Sequence, residues 1–64
     1  MEEKDFKQAA KDTKKAMQMA RSWKRQGRSA YSFERHINHV WPTGVKRLGS
    51  KLYHIVAYTW ELKQ

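Results

Sequence analysis

Small and apolar side chains recur at three- and four-residue steps through the first third of the chain: Phe6, Ala9/Ala10, Thr13, Ala16/Met17, Ala20 and Trp23. That period returns to one side of a 3.6-residue helix at every turn. Half a turn away, Lys4, Lys7, Lys11, Lys14, Gln18, Arg21, Arg25 and Arg28 keep the same rhythm, so the opposite side is a stripe of cations broken only by Gln18. The interior is rich in Ala, Lys, Gln and Met, which all favour helix. Acids at Glu2, Glu3 and Asp5 and cations toward Arg28 suit the helix macrodipole, and Gly27 supplies a C′ residue. The pattern predicts a helix over 3–26.

The connector from Arg28 to Ser32 is polar and offers Ser29 and Ser32 as N-caps. Phe33, Ile37, Val40 and Trp41 then repeat at helical spacing until Pro42-Thr43-Gly44, which reads as a stop. A helix over 30–41 follows, short enough that packing rather than propensity must hold it.

The last third carries two signals. Val45, Leu48, Leu52, Ile55, Thr59 and Leu62 recur at three-four spacing, widened by Val56 and Trp60, with Arg47, Lys51, His54, Tyr58 and Glu61 on the other side. That is a helical stripe. Against it, 53–60 is rich in β-branched and aromatic residues, and Gly49-Ser50 could turn a hairpin between 44–48 and 51–60. Strict alternation fails on both faces, so helix is favoured, with Ser50 as its cap if Gly49 breaks the run. The expected fold is all-α, a small three-helix domain with a long basic N-terminal helix. The alternative is α+β, two helices plus a C-terminal β-hairpin.

With 64 residues the chain makes one domain, 1–64. A chain of this size buries only about 60% of its unfolded surface. No cysteine is present to staple it or to supply a thiolate ligand. Self-association as a homodimer is one way to cover a long helix that two short ones cover incompletely. The Met-Glu-Glu-Lys-Asp start lacks the basic and apolar regions of a signal peptide, and no apolar run has membrane-spanning length. A cytoplasmic protein without membrane attachment is expected. The Ala/Thr/Met face also lacks the bulky residues that an interfacial helix buries in lipid.

Charge changes the picture most. The formal net charge is +8, with nine cations and four acids in 1–28 (+5) and five cations and two acids in 29–64 (+3). No acid occurs from Thr13 to Phe33, and the isoelectric point is about 10.1. Clustered cations of this kind are the electrostatic footprint of nucleic-acid binding. A helix bearing Lys or Arg every turn can track a phosphate backbone, and Arg adds bidentate contacts to phosphate or guanine. The candidate contact residues are Lys7, Lys11, Lys14, Lys15, Arg21, Lys24, Arg25 and Arg28, with Lys46 and Arg47 as a second patch that Lys51 could extend. The expected function is a small DNA-binding accessory or regulatory factor, double-stranded DNA being favoured over RNA. The alternative is a protein-interaction module or inhibitor that docks its basic helix on an acidic partner protein.

Other chemistry finds little to build on. Trp23, Trp41 and Trp60 all fall on apolar faces and read as core, while Tyr31 reads as the ring best placed to meet a base. His36 and His39 sit one turn apart, with no cysteine or placed acid to complete a zinc site, so no metal or other cofactor is expected. Gly44 at the turn of a helix-turn-helix would leave Ser50 and Tyr53 where buried aliphatics belong. There is no phosphate loop, nucleophile motif or carboxylate pair outside the N-terminal turn, so the chain is not expected to be an enzyme.

Overall fold

The structure is a computed structural model that describes the backbone of residues 3–62 and the side chains of residues 8–62. The expectations placed on Phe6 and Lys7 as side chains lie outside that range. The order is α1 (Glu3–Arg25), α2 (Ala30–Val40), α3 (Pro42–Leu48) and α4 (Ser50–Thr59). The fold is all-α, and no strand occurs among the described residues. At about 1.5 Å per residue the 23-residue α1 sets the 38 Å long axis. It lies against α4 most extensively, then α3, and least against α2.

Each boundary has a local cause. α1 ends in a Schellman motif: Gly27 takes φ 82°, its N–H donates to the Lys24 carbonyl at 2.9 Å, and Arg28 N–H donates to the Trp23 carbonyl at 3.3 Å. Ser29 caps α2, its Oγ accepting from Ser32 N–H at 3.1 Å. Ser32 sits in the first turn instead, where its hydroxyl accepts from Trp23 Nε1 at 3.0 Å.

Pro42-Thr43-Gly44 ends α2 and also begins a further helix. Proline is tolerated at N1 because the N–H it lacks has no intrahelical partner there. The expected single C-terminal helix is therefore two, split at Gly49, whose φ 55° and ψ −127° suit glycine. Gly49, not Ser50, holds the cap position of α4, and no side-chain hydrogen bond caps it.

The hairpin alternative fails because burial outweighs β-propensity. Leu48, Leu52, Ile55 and Val56 enter one core with Ala16 and Ala20 of α1 and Phe33 and Ile37 of α2. The three tryptophans pack partly buried against it, Phe33 lying 5.3 Å from the Trp60 ring and 6.4 Å from Trp23. Ala16 and Ala20 are fully buried, so small side chains are what bring α1 close to its neighbours.

Candidate nucleic-acid interface

The α1 face that turns away from the core carries Lys11, Lys14, Arg21 and Arg25, all exposed. Among the described residues none of these four makes a side-chain hydrogen bond or ion pair. They span about 21 Å of helix. The expected stripe thus stands as a surface, and its members from Lys14 to Arg25 fall in the acid-free run of the sequence.

The remaining candidates are partly committed to the fold. Lys15 Nζ lies 4.4 Å from the centre of the Trp41 ring. Lys24 Nζ donates to the Thr59 carbonyl at 2.7 Å, satisfying a terminal acceptor of α4. The Arg28 guanidinium folds back 4.3 Å over Trp23, taking the place of the apolar contact that commonly accompanies a Schellman motif. His36 also stacks on the Trp23 ring, at 4.2 Å and 19°.

Arg47 is the member that the sequence pattern places least well. Its Nε donates to Asp12 Oδ2 at 2.7 Å and its Nη2 to Oδ1 at 3.1 Å. Asp12 lies on the buried side of α1 at 3% exposure, and Gln8 Nε2 donates to it as well at 3.1 Å. The Arg47 hydrogen bonds hold the Asp12 carboxyl below its ordinary range against the opposing cost of burial, with Gln8 and the charges of Arg47 and Lys15 adding to the effect. The same pairing raises Arg47. Of the second patch, Lys46 is exposed on α3 and makes no ion pair among the described residues.

α4 brings Lys51 to the main stripe. A groove of about 590 Å³ has Ala9, Ala10, Thr13 and Met17 along its apolar side and Lys14, Arg21 and Lys51 around it. The sequence pattern groups Lys51 with the second patch, because the approach of α4 to α1 is a tertiary fact. Its position on the polar side of the α4 pattern was the available signal.

Among the described residues no three His, Cys, Asp or Glu side chains converge, and no helix is long and apolar enough to cross a membrane. Comparison with protein-family models, with curated proteins and with solved structures finds no match for this chain.

Proposed function

We propose that this chain is a small cytoplasmic DNA-binding accessory factor whose α1 lies along the phosphates of a duplex. The observation that carries the reading is the exposed row of Lys11, Lys14, Arg21 and Arg25, which has no acidic partner among the described residues. Such a row neutralises phosphates and releases their counterions. It positions the protein without reading bases, so affinity is expected to depend weakly on sequence. Changing Lys14, Arg21 and Arg25 together to Glu should abolish duplex binding in a gel shift while the far-ultraviolet circular dichroism stays helical. Retained affinity would end this reading. These three make the cleanest test because Lys15, Lys24, Arg28 and Arg47 also hold the fold.

A second reading rests on the groove of Ala9, Ala10, Thr13 and Met17 with its surrounding cations. An acidic amphipathic helix of a partner protein would match both the apolar wall and the charge. That reading predicts a stoichiometric complex that survives nuclease treatment, with only weak affinity for DNA.

A further inference from the structure

We infer that the C-terminal end of the basic face holds a site for one unpaired nucleotide, its base stacked on Tyr58 and its phosphate on Arg21 and Arg25. The inference rests on the phosphate-binding reading above and names the nucleic-acid feature that this end of the face selects.

An open cleft of about 740 Å³ lies between α1 and the end of α4, with Arg21, Lys24 and Arg25 on one side and Ala57, Tyr58, Thr59 and Glu61 on the other. Its walls are tied together twice. Lys24 Nζ donates to the Thr59 carbonyl at 2.7 Å, and Trp60 Nε1 donates to the Arg28 carbonyl at 3.1 Å. The cleft is therefore held open before any ligand arrives, which lowers the ordering cost of binding.

Tyr58 is 73% exposed, the highest value among the exposed large hydrophobic residues. The other two tyrosines have neighbours: Arg35 lies 6.0 Å from the Tyr31 ring, and His54 meets Tyr53 edge-on at 5.9 Å. Among the described residues no ring or cation stacks on Tyr58. A bare aromatic face beside arginines is the pairing that unpaired bases recognise, since every base has a π-face and carries a phosphate. A base inside a duplex presents no such face, so the site takes an unpaired base at an overhang or a gap.

Glu61 sets the direction. Its carboxylate repels phosphate from the far end of the cleft, leaving Arg21 and Arg25 as the phosphate side, and it can accept from an exocyclic amino group of a base.

The test compares a blunt duplex DNA with the same duplex carrying a short mixed-sequence single-stranded overhang, by fluorescence anisotropy at one salt concentration. The wild-type protein should bind the overhang duplex roughly tenfold more tightly, the scale of one stacked base. Tyr58→Ala should remove that preference and leave blunt-duplex affinity unchanged, and Tyr58→Phe should keep it. Equal wild-type affinity for both DNAs, or a preference that survives in Tyr58→Ala, overturns the nucleotide site alone. Wild-type protein that binds neither DNA overturns the phosphate reading and this site together.

Discussion

Arg47 grips Asp12 through two hydrogen bonds, at 2.7 and 3.1 Å, and so fixes α3 against the buried side of α1. The two ends of the pair are unequal: the Asp12 side chain is 4% exposed and that of Arg47 is 47% exposed. Removing the arginine leaves a buried carboxylate whose remaining hydrogen bond among the described residues is the one from Gln8, whereas removing the acid leaves a guanidinium that can turn to water. Arg47→Met is therefore expected to lower the thermal midpoint more than Asp12→Asn, and the order should be visible in circular dichroism melts at neutral pH.

The same pair predicts an acid limb to stability. Asp12 is depressed below its ordinary value of 3.8 in the folded chain, so on acidification the unfolded chain takes up the proton first. The contribution is complete above about pH 4 and is lost as pH falls through the folded value. Melts from neutral pH downward should show the wild-type midpoint dropping below about pH 4. Asp12→Asn should show a shallower drop across the same window.

Gly44 offers a test of packing against propensity. It is buried in α3, and a Cβ built on it would run into the Trp41 indole. Alanine would be the better helix former by about 1 kcal/mol if space allowed. The clash predicts instead that Gly44→Ala destabilises by about 1–3 kcal/mol, as overpacked sites do. Denaturant unfolding measures it, and a gain in stability would show that Trp41 moves aside freely.

Glu61 tests the other end of α4. It holds φ 53° at the C′ position of a second Schellman motif, in which Leu62 N–H donates to the Ala57 carbonyl at 2.9 Å. Side chains other than glycine pay roughly 1 kcal/mol there. Glu61→Gly should therefore raise stability by up to about 1 kcal/mol, the greater freedom of glycine in the unfolded chain offsetting part of the gain.

The helices were legible in the sequence wherever a local rule sets them. Three-four spacing gave α1 its two faces, Gly27 its end and Ser29 the start of α2. Residues 45–60 were readable two ways because Tyr53-His54-Ile55-Val56 favours strand locally and only the shared core with Ala16, Ala20, Phe33 and Ile37 makes the helix win. Pro42 reads locally as a stop and nothing more, yet the same fixed φ also starts α3. At the site, the stripe from Lys11 to Arg25 could be read from spacing alone. The commitments of Arg47 to Asp12 and Lys24 to Thr59, each 35 residues apart, and the approach of Lys51 to Arg21 depend on how the helices meet. A cation's spare capacity is a tertiary property.

The measurement that bears most directly on the central claim is the salt dependence of duplex-DNA affinity. With Lys11, Lys14, Arg21 and Arg25 on phosphates, a plot of log K against log salt should have a slope near −3.6, at about −0.9 per phosphate. Changing Lys14, Arg21 and Arg25 together to Gln should bring the slope close to −1. A flat wild-type slope, or one that the triple change leaves untouched, would contradict a role for this face in holding DNA.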